Sequence, residues 1–247
     1  MDLPNLNLNQ SAIFFDFDGT LVDIKPTPDQ VKIRPQTQSL LIQLNNRLDN
    51  ALAIISGRSI ESLVNCLLKP VPKLSLSGSH GAQYQLSESN FVQLHPKVKA
   101  MPLPLVRQCK AFSQKHQLIW EPKPYSIIIH YRNYPELEKE VESYLKNIIS
   151  DYPDLTIQKG KFICEIKHAG INKSSALKLF MNKPLFYGRN PWYFGDDITD
   201  EDAFQWINHH QGISVKIGNY KNSRAKFHLE TPYSLIQFFQ SSLNLEN

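Results

Sequence analysis

The chain has 247 residues, 41% hydrophobic and 20% charged, the balance of a globular protein with one large domain or two modest ones. Its 27 Lys and Arg against 23 Asp and Glu leave a formal charge of only +4. With no dense basic run carrying interleaved aromatics, nucleic acid is a poor partner, whereas a small anion suits the charge.

The three cysteines, Cys66, Cys109 and Cys164, lie far apart without metal-ligand spacing and read as buried free thiols of a reducing compartment. The leading stretch MDLPNLNLNQ lacks the basic start and apolar core of a signal peptide. No apolar run reaches the ~18 residues that suggest a membrane span. A cytoplasmic protein without a membrane partner is expected.

In chain order, AIFF (residues 12–15) reads as a strand buried on both faces. In RPQTQSLLIQLNNRL, Leu40, Leu41, Leu44 and Leu48 recur at helical spacing. A second buried strand follows at 51–55, closed by Ser56 and Gly57, and SIESLVNCLL is again helical in pattern. KLSLSG and AQYQL read as strands around the turn SGSHG. VRQCKAFSQKH predicts a helix, LIWEPKPYSIIIHYR a strand with a Pro-marked interruption, and PELEKEVESYLKNIIS an amphipathic helix with Leu137, Val141, Tyr144, Leu145 and Ile148 on one stripe. LTIQKGKFICEIK reads as a hairpin turning near Lys159-Gly160. Buried-strand signals resume in PWYFGDD and GISVKIG, and YSLIQFFQSSL closes the chain as a helix.

Strands alternating with helices predict an α/β fold with a parallel sheet covered on both faces. The middle segment, 99–168, has its own apolar faces and is expected to be an inserted α/β domain, leaving 1–98 and 169–247 as a discontinuous core.

Two acidic groups stand at predicted strand ends, where ligands of such sheets bind. In DFDGT, the aspartates could be a solvated turn, with Gly19 supplying the backbone angle. Alternatively Asp16 attacks an electrophilic phosphorus while Asp18 protonates the leaving oxygen and then activates water, with Mg²⁺ offsetting the crowded charge. Ser56 in ISGRS marks a strand-to-helix turn, an anion site or simply a serine cap. YFGDDITDEDAF crowds five acids into seven residues. A capping box of Thr199 and Asp202 accounts for its later acids but not for Asp196-Asp197. Two acidic ends in one parallel sheet repel unless a cation lies between them. Lys173, heading the helical SSALKLFM, is either a surface lysine or the fixed cation such a site needs.

DFDGTL, ISGR, Lys173 and GDDITDED, in this order, resemble the four motifs of the haloacid dehalogenase phosphatases. The resemblance implies a Rossmann-like core with an inserted cap, Asp16 as nucleophile and Asp18 as general acid/base. It also implies Ser56, Gly57 and Lys173 on the phosphate. Mg²⁺ would be held by Asp16, the Asp18 carbonyl and Asp196, with Asp200 supporting. More narrowly, LSGSHGAQ, WEPKPYSIIIHYR, KGKFICEIK and VKIGNYKNSRAKFHLETPYSLIQFF are similar to the trehalose-6-phosphate phosphatases. That likeness implies trehalose 6-phosphate as substrate, a synthase as partner, and Arg58, His80, Gly81, Glu121, Lys123, Arg132, Lys161 and Glu165 as substrate-binding groups. The cap would be mobile and would close over the disaccharide.

The residues themselves add that Lys161 and Glu165 share a strand face by period two, as do His130 and Arg132. Ser174 replaces the family's usual glycine after the lysine, and HAGIN replaces its Pro-containing approach. Other phosphosugars, such as sucrose phosphate or glucosylglycerol phosphate, remain alternatives. A catalytically idle sensor is disfavoured by the intact nucleophile.

Overall fold

The computed structural model describes residues 3–25 and 27–243; Met1 and Asp2 of the leading stretch, residue 26 and residues 244–247 lie outside the described residues. In chain order, strand β1 (Ser11–Phe15) is followed by helix α1 (Pro35–Arg47), β2 (Leu52–Ile55), α2 (Ile60–Cys66), β3 (Ser75–Gly78), β4 (Gln83–Gln85) and β5 (Gln93–Leu94). Then come α3 (Leu103–Lys115), β6 (Ile119–Lys123), β7 (Ser126–His130), α4 (Glu138–Ile148), β8 (Leu155–Gly160) and β9 (Ile163–His168). The chain returns with α5 (Lys173–Met181), β10 (Asn190–Gly195), α6 (Glu201–His209), β11 (Ile213–Ile217), β12 (Phe227–Leu229) and α7 (Pro232–Ser242).

These elements divide into two compact units, one from the segments up to His95 and from Asn172 onward, the other from Pro96 to Ile171. The sequence pattern puts those junctions three residues further inward. The first unit is built on an eight-stranded sheet, ordered β12-β11-β10-β1-β2-β3-β4-β5. It is parallel from β12 to β3, and only β4 and β5 run antiparallel. All five residues of β1 are buried, as a central strand covered on both sides requires.

Successive strand residues face opposite ways, and the aromatic contacts record it. Phe14 stacks on Phe186 at 5.4 Å and lies 6.3 Å from Phe180 of α5, while Phe15 meets Phe239 of α7 edge-on at 5.4 Å. Helices therefore cover both faces, and the core of this unit runs through both layers.

The second unit is a four-stranded antiparallel sheet, β6-β7-β9-β8, with α3 and α4 on one face. Val141 and Leu145 of α4 are fully buried there with Ile127, Ile129, Cys164 and Ile166, so the predicted stripe is the packed face. The Pro-interrupted run separates into β6 and β7, paired from Ile119↔His130 to Lys123↔Ser126. The β8–β9 hairpin turns at Lys161-Phe162 and not at Lys159-Gly160: Gly160 still pairs with Ile163, and Phe162 takes the left-handed backbone (φ 61°). Among the described residues, no helix is long and apolar enough to cross a membrane.

Candidate active site

β1 ends at Phe15 and β10 at Gly195, so Asp16 and Asp196 are the first residues beyond two adjacent parallel strands. The Asp16 N–H donates to the Phe194 carbonyl at 2.8 Å, which locks the two ends side by side. Past Asp16 the chain folds tightly: the Phe17 carbonyl accepts from Leu21 (3.0 Å) and Val22 (3.2 Å), and Gly19 donates to Val22 at 2.8 Å. Gly19 has φ +85°, and a Cβ there would come within 2.0 Å of Asp196 Oδ2, so a side chain at 19 would push Asp196 away. Asp16, Asp196 and Asp200 each offer a carboxylate oxygen within 4.8 Å of the others.

Lys173 is the first residue of α5, whose N-terminus is fixed by the reciprocal cap of Asn172 and Ser175. It is buried, and its ammonium donates to Asp200 Oδ1 (2.8 Å) and contacts Asp16 Oδ1 (2.9 Å). Asp200 is fully enclosed, and both its oxygens are engaged. Oδ1 accepts from Lys173 and from the Tyr193 hydroxyl (2.6 Å), and Oδ2 accepts from the backbone N–H of Asp196 (3.1 Å) and Asp197 (3.0 Å). The expected Thr199–Asp202 box is not the cap. Asp197 and Asp200 form the reciprocal pair instead, ahead of α6, and Asp202 accepts from the Asn172 side chain at 2.8 Å.

Burial raises the Asp16 carboxyl well above the usual range, against the pull of Lys173 and with Asp200 and Asp196 adding to the rise. Burial likewise raises Asp196. For Lys173, burial alone would favour the neutral amine, but Asp16 and Asp200 outweigh it and its pKa is raised, so it stays charged. Asp196 Oδ1 is buried without a hydrogen-bond partner. Asp16 and Asp196 at adjacent strand ends, with one Asp196 oxygen buried and orphaned, are carboxylate donors that fit a hard divalent cation, and the engaged Asp200 stands behind them.

Asp18 is engaged by Arg58, whose Nε and Nη2 each donate to one carboxylate oxygen at 2.7 Å. This bidentate bond raises the Arg58 pKa further. The structure thus puts Arg58 on Asp18. Ser56 is buried but does not cap a helix: its hydroxyl accepts from the Arg58 N–H (3.1 Å), and the cap of α2 is Ser59, three residues later. Ser56 lies against the 79–81 turn through His80 N–H to Ser56 carbonyl (3.0 Å), and the His80 ring covers Gly57. Gly81 sits against the Asn172 carbonyl beside Lys173. Asp16, Asp18, Ser56, Gly57, Arg58, His80, Gly81, Lys173, Asp196 and Asp200 therefore belong to one neighbourhood of the first unit.

In the second unit, strand pairing puts Glu121, Ile128, Glu165 and Gln158 in one row on the sheet face away from α3 and α4. Lys123 and Lys167 fall in the next row, and His130 in the row on the other side. Glu121 is bracketed by His130 (3.1 Å) and Lys123 (3.5 Å), and Lys167 donates to Gln158 at 2.8 Å. Two expected members lie off the strands. Lys161 is in the β8–β9 turn, and Arg132 is in the turn beyond β7, which stops at His130. Neither therefore shares a strand face as period two suggests.

The trehalose-phosphatase family model matches residues 14–233, from the end of β1 to the start of α7. The chain belongs to the trehalose-phosphatase family. It is similar to the trehalose-6-phosphate phosphatase of Escherichia coli, with 37% identity over 214 residues, 84% of this chain and 77% of that one. Among solved structures, it resembles the C-terminal domain of the C. albicans trehalose-6-phosphate phosphatase, with TM-score 0.76, 21% identity, and 98% of each chain covered. It also resembles a haloacid dehalogenase-like hydrolase from Bacteroides thetaiotaomicron, with TM-score 0.70, 15% identity, and 94% and 99% covered.

This trehalose-phosphatase is a phosphoric monoester hydrolase of the haloacid dehalogenase fold. Around its acidic cluster, two polar side chains are missed by motif reading. Tyr193 sits inside the apolar run PWYF, where nothing but its hydroxyl signals a role. Lys216, buried in ISVKI of β11, donates to the Asp196 carbonyl; a lysine in a buried parallel strand was the available signal.

Proposed function

We propose that this chain hydrolyses trehalose 6-phosphate to trehalose and phosphate through an aspartyl phosphate on Asp16, with Mg²⁺. The observation that carries the reading is the buried Asp16–Lys173–Asp200 contact beside the unpaired Asp196 oxygen, within a chain matched by the family model over nearly its whole length. An Asp16 oxygen attacks phosphorus as the bond from phosphorus to the sugar oxygen breaks, and Asp18 gives its proton to that oxygen. Asp18 then takes a proton from water, whose oxygen attacks phosphorus and restores the Asp16 carboxylate. Both Asp18 oxygens accept from Arg58, so this pair opens for Asp18 to take up a proton from solvent and pass it on, which frees the guanidinium for the substrate.

Lys173 and the Ser56-Gly57 turn receive the phosphate oxygens. The divalent ion would be held by the Asp16 and Asp196 carboxylates and the Asp18 carbonyl; when bound it neutralises charge gathered on the phosphate. Asp200, with both oxygens already engaged, braces Lys173 and the 196–197 backbone rather than giving an oxygen directly. His80 and Gly81, at the turn over Gly57 and beside Asn172, border the phosphate groups of this reading. In the second unit, the cap of this reading, Glu121, Lys123 and Glu165 on the sheet face and Arg132 and Lys161 in its turns bond the sugar hydroxyls.

The experiment is phosphate release from a panel of trehalose 6-phosphate, sucrose phosphate and glucosylglycerol phosphate, with and without EDTA. Trehalose 6-phosphate is the preferred substrate, EDTA stops release, and Asp16→Asn abolishes it. Robust turnover by the Asn variant would sink the mechanism, and preference for another sugar would sink the substrate.

A further inference from the structure

We infer that Tyr193 is a positioning residue of the reaction: its hydroxyl, through Asp200, sets where the Lys173 ammonium stands between Asp200 and the nucleophile Asp16. The inference rests on the proposed roles of Asp16 and Lys173 and adds a residue that touches neither substrate nor metal.

The geometry is specific. Tyr193 is fully enclosed in β10, the strand that ends at Gly195, one residue before Asp196. Its ring lies edge-on to Phe204 of α6, with centroids 5.7 Å apart at 79°, and β10 itself places the phenol. A phenol fixed this way has no solvent to turn to, and its partner is Asp200 Oδ1 at 2.6 Å. That same oxygen accepts from Lys173 at 2.8 Å, while Lys173 stands 2.9 Å from Asp16.

Two donors thus share one oxygen, and one ammonium divides itself between two carboxylates. Asp200 Oδ2 cannot take over, because two backbone N–H groups already hold it. Strip the phenolic donor, and the less neutralised Oδ1 draws the ammonium toward Asp200 and away from Asp16. The charge that should meet the phosphate is then misplaced, and misplacement on the ångström scale costs rate rather than substrate affinity.

The test is Tyr193→Phe beside Phe204→Leu, a control that loosens the same ring without removing the hydroxyl. Each is assayed over a range of trehalose 6-phosphate concentrations at saturating Mg²⁺ well below its Tm, and the wild type and the Phe variant are also crystallised. For Tyr193→Phe, we expect kcat to fall about ten- to hundredfold with KM within about twofold of wild type. The Lys173–Asp16 contact lengthens beyond 3.5 Å, and Phe204→Leu keeps its kcat. An unchanged kcat in Tyr193→Phe, an unchanged Lys173–Asp16 contact, or an equal loss of kcat in Phe204→Leu each overturns the inference. An inactive wild type would instead refute the proposed function, and the crystal structure would still decide the position of Lys173.

Discussion

Asp196 carries a conflict within one side chain: one oxygen closes on Gly19, and the other is buried without a partner. Its raised pKa has a direct consequence for stability. An ordinary unfolded aspartate titrates near ~3.9, so the folded state holds this proton more tightly than the unfolded one. The resulting stabilisation is present below that pH and is lost as pH rises through the raised folded value. Asn has no charge to lose. In metal-free protein, Asp196→Asn should therefore melt above wild type at neutral pH, with the gap closing toward pH 4; a constant gap across that range counts against the argument. Added Mg²⁺ should reverse the order by raising the wild-type Tm alone.

At the scale of elements, the small sheet turns an alternating pattern into a row of carboxylates. Glu121 and Glu165 both flank the buried Ile128, one on each neighbouring strand, so two separate sequence segments present acceptors on one face. Glu165→Ala should raise KM for trehalose 6-phosphate at least about tenfold, since hydrogen bonds to charged groups are worth about 1.5–3 kcal/mol. Turnover of p-nitrophenyl phosphate, which has no sugar, should stay within twofold; equal losses on both substrates would remove Glu165 from sugar recognition.

Elements of this kind were legible to different depths. Continuous apolar runs ending in acids announce β1 and β10, because a parallel strand buried on both faces leaves its polar residues at its end. The β8–β9 turn misleads because glycine is the usual carrier of a positive φ, and here Phe162 carries it while Gly160 remains paired. That shift of a turn moves Lys161 off the sheet face. β5 and β12, two and three residues long, are too short to show any period. Ser56 was readable as a strand-end residue, but its bond to the Arg58 backbone comes from a loop whose path no pattern encodes.

For the whole molecule, the two units have separate cores: Phe14, Leu41 and Phe194 belong to one cluster, and Ile129, Val141 and Cys164 to the other. Truncating Ile129 to Ala should cost about 2–5 kcal/mol. Hydrogen exchange should then quicken in β6–β9 and leave β1, β2 and β10 protected, as cooperative opening follows contiguous packing. Uniform acceleration across both sheets would show one shared unfolding unit instead.

The pairing of β1 with β10 also governs how the protein comes into being. Ser11 leaves the ribosome well ahead of its partner Asn190, which follows only after the whole second unit has been made. At the usual 5–20 residues per second, that delay is roughly 10–40 s. Throughout it, the apolar edge from Ala12 to Phe15 has no neighbour on one side, the sort of exposed strand that chaperones shield and aggregates recruit. Asp16 is likewise far from Lys173 and Asp196 in the nascent chain. Asp16 is therefore made long before the cation and the fellow carboxylate that surround it in the fold, and it waits for both until α5 and β10 have followed.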